Sequence, residues 1–144
     1  MTVVMLMAAS FSCNDIGIDD DHSTISDPLS RWHAYRITSY SLKQSLTCFC
    51  VGGGVTMRVV VKDNRIVNVL EIATGNSIPQ NRREYYKTVD ELFTIAQGIN
   101  PDSVAHFVIE YDQKYGLPTT LYVDPDEGVA DEEFGYQTQF LSRD

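Results

Sequence analysis

The sequence predicts an α+β domain: a single antiparallel sheet of about six strands with two helices on one face, in the order helix, three strands, helix, three strands. Three observations carry this. Apolar residues alternate at period two in several short runs, the links between runs are too short for parallel crossovers, and a helix-start signature at Thr88 separates the runs into two groups. At 144 residues and 43% hydrophobic, the chain matches one domain with a real core.

Before the domain lies a different kind of segment. Val3 to Ser12 is short and apolar with small residues near its end, and Cys13 is followed at once by Asn14 and Asp15. This is the pattern of a lipoprotein signal peptide over residues 1–12, possessing its h-region and cleavage site, which makes Cys13 the lipid-bearing first residue of the mature protein. Only Ser12 conforms to the usual residues before the cysteine, Ser10 and Phe11 do not, and residues 1–12 carry no Lys or Arg. The recorded start then lies inside a longer signal, or Val3 to Met7 is a buried strand, since periodicity does not separate the two. A helical span needs about 20 apolar residues, more than this run offers.

Asn14 to Asp27 has Gly17, five Asp, three Ser or Thr and three isolated Ile, too little apolar surface to form a core. Residues 13–27 therefore read as a lipid-anchored acidic tether, holding the domain on the order of 20 Å from its anchor. Asp19-Asp20-Asp21 resembles an export signal of surface-displayed lipoproteins or is a solvated charge run. The expected location is the bacterial cell envelope, at the outer membrane on its periplasmic or surface face. A formal charge of −9 and a pI near 4.6 argue against nucleic acid and against direct adhesion to anionic lipid.

The folded unit, residues 28–144, opens with Asp27 as a cap and Pro28 in the first helical position; Leu29, Trp32 and Arg36 follow at helical spacing. Tyr40, Leu42, Leu46, Cys48 and Cys50 share one phase of a strand that runs to a Gly52-Gly53-Gly54 turn. Val55, Met57, Val59 and Val61 form the next strand, Asp63-Asn64-Arg65 a tight hairpin, and Ile66 to Ile72 the third. After a polar loop from Ala73 to Lys87, Thr88-Val89-Asp90-Glu91 fits a capping box, and Val89, Leu92, Phe93 and Ala96 form a stripe that Gly98 and Asn100-Pro101 end. Phe107, Ile109 and Tyr111 alternate in a fourth strand, Thr119 to Asp124 pairs back on it, and Tyr136 to Leu141 closes the sheet.

Trp32, Tyr40, Cys48-Phe49-Cys50, Thr88 to Phe93, Tyr111-Asp112 with Tyr115-Gly116-Leu117-Pro118-Thr119, and Asp131-Glu132-Glu133 with Gly135-Tyr136 resemble domain-of-unknown-function family 6174. The resemblance covers roughly residues 31 to 140, with Leu117 standing where an aromatic residue is expected. It implies a small exported bacterial envelope domain, often a lipoprotein, with no assigned activity and no catalytic residue to transfer.

Cys48 and Cys50 are the best chemical candidates. In an oxidising envelope nearby cysteines pair, and a Cys-X-Cys bridge suits an easily reduced, redox-active disulfide. On a regular strand, however, residues two apart have Cα atoms about 6.6 Å apart, near the roughly 6.8 Å limit for a disulfide. Two buried thiols, a structural disulfide, and redox or metal work all stay open. Asp124, Asp126 and Asp131 beside Gly128 partly match a calcium loop and equally match a solvated acidic turn. His22, His33 and His106 fall at no metal-ligand spacing, and no cofactor is assigned. Arg82-Arg83 beside Tyr85-Tyr86 would grip an anion or a partner, or form a solvated loop. Two functional expectations follow. One is a non-enzymatic envelope lipoprotein, membrane-attached through Cys13, that contacts another envelope protein or a glycan through its sheet or through Tyr85, Tyr86, Tyr115 and Tyr122. The other is a thiol-disulfide protein using Cys48 and Cys50.

Overall fold

The structure, a computed structural model, describes residues 21–143, so Cys13 and the residue 1–12 segment lie outside the described residues. Helix α1 (Pro28–Ala34) is followed by strands β1 (Tyr40–Thr47), β2 (Thr56–Lys62) and β3 (Arg65–Glu71). Helix α2 (Val89–Gly98) then precedes β4 (His106–Tyr111), β5 (Pro118–Asp124) and β6 (Phe134–Arg143). Each half is thus a helix followed by a three-strand meander. The six strands form one antiparallel sheet in the order β3-β2-β1-β6-β5-β4, so the first and last strands join the two meanders at its centre.

Local chemistry fixes the element ends. Asp27 caps α1 by accepting from the Ser30 amide at 2.7 Å, and Pro28 occupies the first turn. Tyr35 closes the helix and Arg36 takes φ 51°, so Arg36 lies outside the helical stripe expected of it. At α2 both halves of the capping box form: the Thr88 hydroxyl accepts from the Glu91 amide at 3.2 Å, and the Glu91 carboxylate accepts from the Thr88 amide at 2.7 Å. Asp63 and Asn64 both adopt left-handed φ, 48° and 59°, which gives the β2–β3 hairpin the handedness its strands need.

One face of the sheet carries the core. Tyr40, Leu42 and Leu46 of β1 lie beside Met57, Val59 and Val61 of β2, and α1 adds Trp32 while α2 adds Val89 and Phe93. Trp32 meets Tyr40 edge-on with ring centroids 5.3 Å apart, a contact that locks α1 to the sheet centre. Both helices therefore cover the same face, and Lys43, Ser45, Arg58, Gln137 and Gln139 alternate onto the other. Inside the apolar layer sits one fully buried amide. Gln44 accepts from the Lys87 amide at 2.8 Å and donates to the Lys87 carbonyl at 3.1 Å and the Thr138 hydroxyl at 3.4 Å. It holds the residue just before the capping box against the sheet, and so sets where α2 begins.

Two expectations change. The chain is already held to the domain before Asp27: the His22 amide donates to the Tyr35 hydroxyl, and the Arg31 guanidinium donates to the Ile25 carbonyl at 2.7 Å. The Ala73 to Lys87 loop contains a 3-10 helix, Gln80–Tyr85, and runs along the outer edge of β3. A second 3-10 turn, Pro101–Ser103, follows α2.

Candidate functional site: the Cys48–Cys50 tip

The alternating pattern that includes Cys48 and Cys50 suggests one continuous strand, but β1 ends at Thr47 and both cysteines lie in the bend beyond it. The glycines explain the break. The Gly54 amide donates to the Leu46 carbonyl at 2.7 Å and the Gly53 amide to the Cys50 carbonyl at 3.1 Å, folding the turn back on the strand end. A Cβ at Gly53 would sit 2.5 Å from the Cys48 carbonyl oxygen, an approach only glycine permits, and Gly52 and Gly54 take φ 95° and 75°. The bend brings the Cys48 and Cys50 Cα atoms to 5.2 Å, and the two sulfurs are bonded. This spacing is inside the disulfide range that a straight strand only borders.

The fold thereby presents a stapled tip of carbon surface. Phe49 is 82% exposed, Val51 67% and Val55 48%. Beside them runs a groove of about 200 Å³, walled by Leu46, Cys48, Cys50, Tyr85, Phe134 and Tyr136. Lys87 is at its rim, its ammonium donating to the Glu84 carbonyl. The Tyr136 phenol is pushed above its ordinary value by burial first and then by the Glu91 charge, and that of Tyr86 by burial, so both stay neutral across the physiological range.

The other sequence candidates fare differently. Tyr86 is buried in the core, Tyr115 is half-buried against it, and Tyr85 is exposed at the groove. Arg83 donates to the Val67 carbonyl at 2.9 Å and to that of Ile78, holding the 3-10 segment on β3 rather than waiting for an anion. Asp124, Asp126 and Asp131 are not gathered into a cation site: among the described residues no three His, Cys, Asp or Glu converge. Asp126 instead caps its own turn by accepting from the Gly128 amide at 2.8 Å, and Glu127 pairs with His106 at 2.7 Å. Val55 shares the sequence phase of Met57, Val59 and Val61 but lies just before β2 and is exposed; the sequence signal for exposed Phe49, Val51 and Val55 is apolar side chains flanking a glycine-rich turn.

Fold and surface together define a small two-layer α+β domain with a disulfide-stapled apolar tip at one end of its sheet. The chain belongs to DUF6174, a family of unknown function, which it matches over residues 24–143. No curated protein and no solved structure matches it. No helix among the described residues is long and apolar enough to cross a membrane.

Proposed function

We propose that the protein is a non-enzymatic binding module of the bacterial cell envelope, lipid-anchored through Cys13, whose contact surface for another envelope protein is the Cys48–Cys50 tip. The observation that carries this reading is the 82% exposure of Phe49 on a turn whose backbone is fixed by the staple and the glycines. A rigid aromatic anchor offers contact area at little conformational cost, which is what a binding surface needs. What the tip presents is carbon surface beside a shallow groove, and this favours contact over catalysis.

The placement of the tip supports the same reading. The described chain begins beside Tyr35 and Tyr115, whose rings are 5.0 Å apart, at the Tyr40 end of β1. The tip is at the Thr47 end, and β1 spans about 23 Å at strand rise. A domain tethered at the first end holds the tip away from the anchor, toward partners rather than lipid. Metabolic labelling with palmitate, followed by a pull-down from membranes, tests both parts. Labelling is expected to vanish in Cys13→Ala, and partner recovery is expected to drop in Phe49→Ser with folding unchanged. Equal recovery by wild type and Phe49→Ser removes the tip from the reading.

A second reading, thiol–disulfide exchange, rests on the exposure of Cys50 at the same tip. Here the reduced pair would pass two electrons to a partner disulfide and close to the bonded form. Titration of both thiols against graded glutathione buffers decides it: a pair that stays oxidised at every physiological poise is structural.

A further inference from the structure

The two edges of the sheet are treated differently. The outward backbone groups of β3 are occupied: the Ile78 amide donates to the Val69 carbonyl at 2.9 Å, the Glu71 amide to the Asn76 carbonyl at 2.9 Å, and Arg83 to the Val67 carbonyl. At the other edge β4 pairs only with β5, and among the described residues no strand pairs with its outer side. An uncovered edge strand is a template for another strand.

Which groups β4 offers follows from the pairing. Val69 points outward at β3, so its partner Val59 points to β1, and residues Leu42, Gln44 and Leu46 of β1 point to β2. The Gly54 amide on the Leu46 carbonyl agrees. Continuing across, Tyr136 points to β5 and its partner Leu121 to β6, which leaves Ile109, opposite Leu121, and Phe107 with their amides and carbonyls facing out. An antiparallel partner must set outward residues opposite outward residues. A two-fold axis at Val108 does so over five residues, placing Phe107 opposite Ile109 of the second copy and Ile109 opposite its Phe107.

We infer that β4 is a self-association edge, on which a second copy of this chain pairs antiparallel about Val108 to make one continuous twelve-stranded sheet. The side chains fit that register. On the open face Val108 falls against Val108 of the second copy, and the flanking His106 and Glu110 keep their partners within each copy, Glu127 and Thr120. On the core face Phe107 meets Ile109, and both are only half-buried in one copy. Val108 is 43% exposed, apolar surface that the second copy covers. The strand contact is small, which sets the dimer among transient interfaces with Kd of about 1–100 μM.

Sedimentation of the full-length chain over a concentration series tests this, with circular dichroism to report folding. Wild type is expected to show a monomer–dimer equilibrium. Val108→Lys and Val108→Glu each set like charges face to face and are expected to weaken it by about tenfold or more. Mixing the two variants in equal amounts is expected to restore a dimer, because lysine then faces glutamate. A wild-type chain that stays monomeric to about 1 mM, ten times the upper Kd, overturns the inference. So does a dimer that Val108→Lys leaves intact, or variants whose mixture stays monomeric. None of these outcomes bears on the Phe49 tip, which lies on β1–β2.

Discussion

Gln44 is the polar group whose loss should be felt most, because it is fully buried and both ends of its amide serve one residue, Lys87. Gln44→Leu is one atom shorter but of similar volume and removes the hydrogen bonds, leaving the Lys87 amide and carbonyl without the partners that hold them. Each unsatisfied backbone group costs about 1–3 kcal/mol, and the added apolar burial of leucine offsets about 1 kcal/mol. The expected net loss is about 3 kcal/mol within a range of about 1–5 kcal/mol, a large part of the roughly 5–15 kcal/mol total of a domain this size. Gln44→Glu should cost more, since a carboxylate facing the Lys87 carbonyl replaces the donor there and is buried beside Thr138. Equilibrium urea unfolding reads both, with a midpoint fall of about 1–2 M for the leucine variant. If Gln44→Leu stays within about 0.5 kcal/mol of wild type, the clamp does not hold α2 and the reasoning fails.

Three further outcomes are expected. Tyr40 is buried and its hydroxyl accepts from the Val89 amide at 3.0 Å, and burial raises its phenol above 10.0, so its contribution is complete below pH 10 and is lost as the unfolded chain ionises at higher pH. Tyr40→Phe should therefore cost about 1–2 kcal/mol at pH 7 and shallow the alkaline decline, as read by thermal melts from pH 7 to 11; an unchanged alkaline slope contradicts this. Gly53→Ala forces a Cβ onto the Cys48 carbonyl and should cost about 1–3 kcal/mol while slowing closure of the Cys48–Cys50 bond, measured by free-thiol titration during oxidation. Thr88→Ala removes the cap of α2 and should cost about 1 kcal/mol by urea unfolding, with Thr88→Ser largely retaining it.

Much of the fold is legible in the residues because the deciding signals are local. Thr88 to Glu91 announces α2, Asp27-Pro28 announces α1, and Asp63-Asn64 fixes a hairpin whose handedness only such residues accept. The β1–β6 pairing is not legible, since the two strands are far apart in sequence and no turn residue encodes their register. The end of β1 is misread for a related reason: Cys48 and Cys50 keep the strand's phase, and only the close backbone approach at Gly53 breaks it. Among the site candidates, the cysteine pair is visible as a motif. Tyr86 and Tyr115 look like surface aromatics because composition cannot tell a loop that packs on the core from one that does not. Phe49 is visible in sequence, but its exposure emerges only once the turn is built.

The most direct test is site-specific photo-crosslinking in intact envelopes, with the reactive group at Phe49 and, as a control, at Gln139 on the open sheet face. A discrete protein adduct from position 49 that is missing from position 139 is the predicted result. No adduct at 49, or the same pattern from both positions, contradicts the tip as the contact surface.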